Sequence, residues 1–160
     1  MDAMYLRDVR ETLEDEFGVP ARTFQWYLSE DLIPKPEYEG REGYYDLEAV
    51  DIVHFVCALR VMNREFDIPL KKASTILRKY QKGLKKLVDL LGGLAEEYEV
   101  RKFPSASDFD GRNARNRAIR RWFFRKLEEG IDLKTFSLVD LVEEIKNFSR
   151  RRAKPQSVAK

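Results

Sequence analysis

The close junction between two short amphipathic segments is the feature that most constrains how this chain can fold. Apolar residues at spacings of three and four predict a first helix with one buried face: Leu6, Val9, Leu13 and Phe17. Gly18 follows as a residue suited to end that helix, and Pro20 is expected at the first helical position of a second helix that runs to Ser29. Two helices joined so closely predict a helix-turn-helix.

The segment after the second helix is rich in proline and glycine. Pro34 and Pro36 block helix propagation, while Gly40 and Gly43 form turns between tyrosine-bearing segments. This pattern predicts a small two-stranded wing over residues 37–45. Tyr45 is expected to be a core anchor beneath the wing.

Two more helices are predicted to complete a compact core. Asp46 is expected as the N-cap of a strongly apolar helix that extends to Met62. Another helix starts near Pro69, and its inward-facing positions are Ala73, Ile76 and Leu77. We therefore assign residues 1–76 to a winged helix-turn-helix domain in a mainly α chain.

A heptad repeat follows this predicted domain. Its apolar residues alternate at spacings of three and four: Leu77, Tyr80, Leu84, Leu87, Leu91, Leu94 and Tyr98. Such a seam needs a partner helix, so residues 77–100 are predicted to form a coiled-coil-like dimerisation helix. The predicted homodimer interface consists of Tyr80, Leu84, Leu87, Leu91, Leu94 and Tyr98. Gly92 and Gly93 favour an alternative in which the chain turns back as an internal hairpin.

Residues 101–149 are predicted to be a C-terminal helical extension with helices near 112–129 and 137–149, followed by a basic flexible tail at 150–160. The first of these helices interleaves arginines with aromatic residues, a composition that suits nucleic acid. The candidates for a second nucleic-acid surface are Arg112, Arg115, Arg120 and Arg121. The alternatives are a solvated basic face, or pairing with the acidic first helix of the same or a partner subunit.

Charge is unevenly distributed along the chain. Residues 1–50 contain five Lys or Arg and thirteen Asp or Glu, whereas residues 101–160 contain sixteen and eight. The basic half can attract phosphate, and the acidic half opposes that attraction. Much of the acidic excess is expected on the solvent side of the first helix, at Asp8, Glu11, Glu14, Asp15 and Glu16.

Several functional classes are disfavoured by what the sequence contains. Cys57 and His54 are the only cysteine and histidine, so neither an internal disulfide nor a zinc cluster can be assembled, and we expect no metal site. Without a nucleophile elbow, phosphate loop or metal cluster, we expect no enzymatic activity. Residues 101–160 could form an effector-sensing domain with an aromatic-lined pocket, but a segment this short is expected to pack against itself, so we expect no small-molecule cofactor. The chain has neither a leader-like start nor an apolar run of membrane-spanning length, so we expect a cytoplasmic protein with no membrane partner.

One stretch resembles the signature of the MerR family of transcription regulators. It reads Phe17-Gly18-Val19-Pro20-Ala21-Arg22-Thr23-Phe24-Gln25-Trp26-Tyr27, and Leu32-Ile33-Pro34 follows. The resemblance extends from residue 5 to about 78. It implies a homodimer, joined by an antiparallel coiled coil, that binds a near-palindromic promoter and distorts its spacer. The chain departs from the usual pattern at Gln25, where a basic residue is common, and at Trp26, where a second tyrosine is common.

The resemblance and the helix pattern together suggest which residues contact DNA. Arg22 and Gln25 are expected to face the bases, and Thr23 and Trp26 the phosphates, although Trp26 suits core packing equally well. Near the wing, the expected backbone contacts are Lys35, Arg41 and Tyr44. A solvated helix face and ordinary loop polarity are the alternatives.

The expected partners are double-stranded DNA, a second copy of the chain, and RNA polymerase or another protein. Two other functions fit the same fold. One is a protein-interaction module, and the other is an architectural DNA-binding protein that bends DNA.

Overall fold

The computed structural model describes residues 3–80, 83–98, 121 and 124–132, and for residues 94–98 it describes the backbone only. This part of the chain is mainly helical with one small sheet. The elements in order are β1 (Ala3–Tyr5), α1 (Leu6–Phe17), α2 (Ala21–Ser29), β2 (Glu37–Glu39), β3 (Glu42–Asp46), α3 (Ile52–Arg64), α4 (Leu70–Leu77) and α5 (Leu84–Tyr98). Residues 124–129 are also helical.

The predicted junction between the first two helices is confirmed. Gly18 adopts a left-handed conformation with φ of 66°, and its N–H donates to the Glu14 carbonyl. Val19 is buried, and its N–H donates to the Leu13 carbonyl at 2.9 Å. Pro20 lies one residue earlier than predicted, because its ψ of 147° is extended and makes it the N-cap of α2. The turn therefore fixes α2 against α1 through the backbone.

The wing contains three strands instead of the predicted two. The antiparallel sheet has the order β1-β3-β2, with Met4 opposite Tyr45 and Tyr38 opposite Gly43. The sequence pattern missed β1 because its three residues run directly into α1 and show no strand-length alternation. Tyr45 is buried as predicted, and its hydroxyl donates to the Pro34 carbonyl at 2.6 Å. The buried ring and this hydrogen bond fasten the sheet to the core.

The N-cap predicted for the third helix was wrong. Asp51 caps α3, and its carboxylate accepts a hydrogen bond from the His54 N–H at 3.2 Å. Asp46 instead lies at the end of β3, where its carboxylate accepts from the Glu48 N–H in a turn. Both residues are aspartates that precede the same apolar run, so local sequence alone did not separate them.

The heptad repeat does not form one continuous helix from Leu77. Helix α4 ends at Leu77 and α5 starts at Leu84, after Gly83 with φ of 79°. Left-handed backbone of this kind ends helical geometry and favours glycine. Helix α5 then passes through Gly92 and Gly93 to Tyr98, so the alternative of a hairpin at these glycines was also wrong.

One buried core joins the helices, with α3 at its centre. Helix α3 packs against α1, α4 and α5, and eight of its residues are buried. The C-terminal segment reaches the same core through Leu127, which is fully buried. Tyr80 fastens this segment, because its hydroxyl donates to the Leu127 carbonyl and accepts from the Ile131 N–H. The predicted helix at 137–149 and the tail at 150–160 lie outside the described residues.

Candidate nucleic-acid interface

Helix α2 has a buried face and an exposed face. Phe24 and Tyr27 belong to the core, whereas Arg22 and Gln25 are exposed. Trp26 is 47% exposed, so the alternative in which it packs in the core was wrong. Thr23 is half-buried. The exposed face therefore combines a cation, an amide and an indole, groups that can bond to base edges or phosphates in a groove.

Gln25 is held by a residue that the sequence analysis did not select. The guanidinium of Arg10 on α1 donates a hydrogen bond to Gln25 Oε1 at 3.2 Å. Arg10 is half-buried and lies fifteen positions earlier in the chain. Because this contact crosses between two helices, a helix-by-helix reading of the sequence gave no signal for it. It adds a second cation to the exposed face of α2.

The wing carries more negative than positive charge. Lys35 precedes β2, and Arg41 lies between β2 and β3; both are exposed. The exposed acidic side chains on the two strands are Glu37 and Glu39 on β2 and Glu42 on β3. Attraction to phosphate in this region is therefore limited to Lys35 and Arg41, while the strands oppose it.

The negative charge of the wing also affects the pKa of Tyr44. It is half-buried on β3 and lies opposite Glu37 on one side and Tyr5 on the other. The negative charge of Glu37, then partial burial, then the charges of Glu39 and Asp46 raise the pKa of Tyr44 above its usual value. Its hydroxyl is protonated at neutral pH, as that of an ordinary tyrosine also is, and can donate a hydrogen bond.

The end of α2 is tied to α4 by side chains. The buried Ser74 hydroxyl donates to the Leu32 carbonyl at 2.6 Å. Arg78 donates to the Asp31 carbonyl at 2.9 Å and forms an ion pair with the Asp31 carboxylate at 3.6 Å. Asp31 has φ of 57°, a conformation that aspartate tolerates better than most residues. These bonds fix where the chain leaves the exposed helix.

The other predicted surfaces are only partly described. Arg121 is exposed and helical, whereas Arg112, Arg115 and Arg120 lie outside the described residues. Among the predicted dimer residues, Tyr80, Leu84, Leu87 and Leu91 are buried within the single chain, in the core that contains α3. The side chains of Leu94 and Tyr98 lie outside the description. A contact of this seam with a second chain stays a prediction.

His54 and Cys57 are arranged as structural groups. His54 Nδ1 lies 2.8 Å from Asp51 Oδ2, and its ring packs edge-on against Phe17. Burial raises the pKa of the Cys57 thiol to about 11, so the thiol is protonated at neutral pH. Among the described residues, no group of three potential ligands could hold a metal ion.

No helix in the described ranges combines the length and apolar character needed to cross a membrane.

The α1–α2 turn, the antiparallel sheet and helices α3 and α4 define a winged helix-turn-helix domain. Residues 11–80 match the family model of MerR HTH family regulatory proteins. This segment is a MerR-type helix-turn-helix domain, and the resemblance predicted from its sequence is confirmed. No curated protein and no solved structure gives a significant match to the chain.

Proposed function

We propose that this protein is a homodimeric transcription regulator that binds double-stranded DNA sequence-specifically. The match to the MerR regulatory family supports DNA binding and transcription regulation as the general function. In this proposal, α2 of each protomer enters a major groove and the two wings lie over flanking backbone. RNA polymerase is the expected protein partner at a promoter.

The observation that carries the proposal is the exposed face of α2. Arg22 and Gln25 are exposed one helical turn apart, while the opposite face is locked into the core by Phe24 and Tyr27. Arginine can pair with guanine O6 and N7, and glutamine with adenine N6 and N7. Because the core already fixes α2, the side chains of Arg22 and Gln25 can meet the bases without further ordering of the helix backbone.

Electrostatics determine which part of the domain can approach the phosphates. The cations near α2 are Arg22 and Arg10, and the wing adds Lys35 and Arg41 at the ends of its hairpin. The acidic residues of β2 and β3 have to remain away from the DNA backbone. Affinity should therefore come from a few phosphate contacts, and it should depend less on salt than in a domain with a basic wing.

In this proposal, α5 makes the contact between the two protomers of the homodimer. This helix begins in the core and continues to Tyr98, beyond the leucines that the single chain buries. We assign the contact between protomers to the second half of α5, where the heptad positions are Leu94 and Tyr98. Two α2 helices related by a twofold axis would then read two half-sites.

Selection from random duplex DNA, followed by sequencing, tests this function. The purified full chain is incubated with the library at several salt concentrations, and retained duplexes are sequenced. We expect a near-palindromic consensus with two half-sites. A consensus with a single half-site would refute the dimer but keep DNA reading by α2. Retention without any consensus, or no retention, would refute sequence-specific recognition.

The acidic wing favours a second candidate function, a protein-interaction module. Its exposed strand residues Glu37, Glu39 and Glu42 suit a basic protein partner better than phosphate. If the protein is such a module, the double variant Glu37→Gln with Glu39→Gln should lose binding to the basic partner. Neither the unmodified chain nor the double variant should then retain duplex DNA. Under our proposal, the same double variant retains its consensus and binds DNA more tightly, because repulsion from phosphate falls.

A further inference from the structure

A cavity of about 270 Å³, widely open to solvent, lies where the turn between α3 and α4 meets the C-terminal helical segment. Its lining combines the apolar side chains of Phe66, Ile68 and Phe124 with the charged side chains of Lys72 and Arg121. This volume lies just below the range for ligand pockets, which is roughly 300–1,000 Å³, and therefore suits a small ligand. An apolar wall with a few charged groups is the usual composition of a small-molecule site.

The apolar wall is contributed by two separate parts of the chain. Phe66 and Ile68 are buried on the α3–α4 side, and Phe124 is half-buried on the C-terminal segment. Their relative position is held by the bonds of Tyr80 to Leu127 and Ile131. The cavity is therefore supported by a fixed contact between the two parts, as a preformed site requires.

The charged groups give the cavity a positive rim. Lys72 Nζ lies 5.7 Å from the centroid of the Phe124 ring, so the ammonium group stands over the apolar wall. Within the described part of the chain, neither Lys72 nor Arg121 forms an ion pair with a carboxylate. Among the described lining residues, Lys72 and Arg121 are the two cations and Asp67 is the one carboxylate. The adjoining groove shares Lys72 and is also lined by Lys71, Lys79 and Glu128, so its described lining carries three cations and one carboxylate and adds to the positive potential.

We propose that this cavity binds a small amphipathic carboxylate, with the carboxylate between Lys72 and Arg121 and the apolar body against Phe66, Ile68 and Phe124. A carboxylate matches the two cations through charge-assisted hydrogen bonds, and guanidinium can bind it in bidentate geometry. The described part of the C-terminal segment is held beside this site by Lys79 and Tyr80, which follow α4 and donate hydrogen bonds to the carbonyls of Glu128 and Leu127.

Titration of the full chain without DNA tests the site independently of DNA binding. The probes are phenylacetate and hexanoate, with the neutral phenylacetamide as the matched control, followed by calorimetry and by NMR shifts of the Ile68 and Phe124 amides. We expect saturable binding of at least one carboxylate with a dissociation constant of about 1 mM or below, and binding of the amide about tenfold weaker. Absence of saturable binding by both carboxylates, or equal binding of the amide, would overturn the proposal.

Substitutions of Lys72 and Arg121 test where the carboxylate of the ligand binds. Lys72→Met and Arg121→Met retain an aliphatic stem against the wall, and each should weaken binding about tenfold. Lys85→Met is the control, because Lys85 is an exposed lysine on α5 that does not line the cavity. Thermal unfolding shows whether the variants remain folded. Folded variants that bind as tightly as the unmodified chain would refute the assigned position.

Discussion

The Ser74 hydroxyl on α4 donates a 2.6 Å hydrogen bond to the carbonyl of Leu32, three residues after the end of α2. Both residues are buried, so water cannot replace this bond when it is removed. Arg78 Nε also lies 3.3 Å from the same hydroxyl, which joins it to the bonds of Arg78 with Asp31. Helix α4 thereby determines where the chain leaves the candidate reading helix.

Ser74→Ala should destabilise the domain by about 1–3 kcal/mol, because it leaves the buried Leu32 carbonyl without its hydroxyl donor. Urea unfolding measures the free energy of unfolding. Thr75→Ala is the matched control: Thr75 is the next residue of α4, and its hydroxyl bonds to the Lys71 carbonyl on an exposed face. The control should change stability by about 0.5 kcal/mol or less. Equal effects of the two variants would contradict the role given to Ser74.

Gly92→Ala should stabilise the chain by about 1 kcal/mol, because alanine is the better helix former within α5. Gly92 lies in the helix, and a Cβ added there would meet no atom within 4 Å. Thermal unfolding measures the change. A loss of stability would indicate that Gly92 needs a conformation closed to alanine, as in a turn. That result would contradict the continuous course of α5.

Glu37→Gln should lower the pKa of Tyr44 toward its ordinary value, because Glu37 is the largest cause of the increase. NMR titration of the labelled tyrosine rings resolves this phenol from the others. Glu48→Gln serves as the control, because Glu48 is not among the charges that raise this pKa. An unchanged Tyr44 titration after Glu37→Gln would contradict the strand register that sets the two residues opposite each other.

Cys57 should react slowly with a thiol-specific disulfide reagent in the folded chain. At pH 8 its raised pKa of about 11 leaves little thiolate, and burial restricts access. We expect the rate to be roughly a hundredfold lower than for the same thiol in urea-unfolded chain. Raising the pH toward 11 should increase the rate as thiolate forms. A fast reaction at pH 8 without denaturant would show that the thiol is accessible or that its pKa is not raised.

The parts of the fold encoded by local pattern were predictable from the sequence. Gly18 and Pro20 gave the junction of α1 and α2, and the apolar spacing of α1 gave its buried face. The third strand was not predictable, because β1 becomes a strand only through its pairing with β3. The N-cap of α3 was mistaken because Asp46 and Asp51 have the same local chemistry. The break before α5 depends on the left-handed Gly83, which a heptad count does not detect.

In the candidate site, too, some features were predictable from local sequence and others depend on how the helices pack. The exposed positions of Arg22 and Gln25 follow from the helical period of α2, since Phe24 and Tyr27 are buried. The Arg10 contact with Gln25, and the bonds of Ser74 and Arg78 to the end of α2, join residues distant in sequence. Such contacts depend on how the helices pack. Local sequence therefore does not encode them.

The central claim is that the exposed face of α2 reads DNA sequence, and a specificity ratio tests it most directly. This ratio compares the affinity for the selected consensus duplex with that for a scrambled duplex, at one fixed salt concentration. Arg22→Ala should lower the ratio about tenfold or more, since a bidentate base contact contributes about 1–3 kcal/mol of discrimination. Arg64→Ala, which removes an exposed arginine at the end of α3, should leave the ratio unchanged. An unchanged ratio for Arg22→Ala, or equal losses for both variants, would contradict reading by α2.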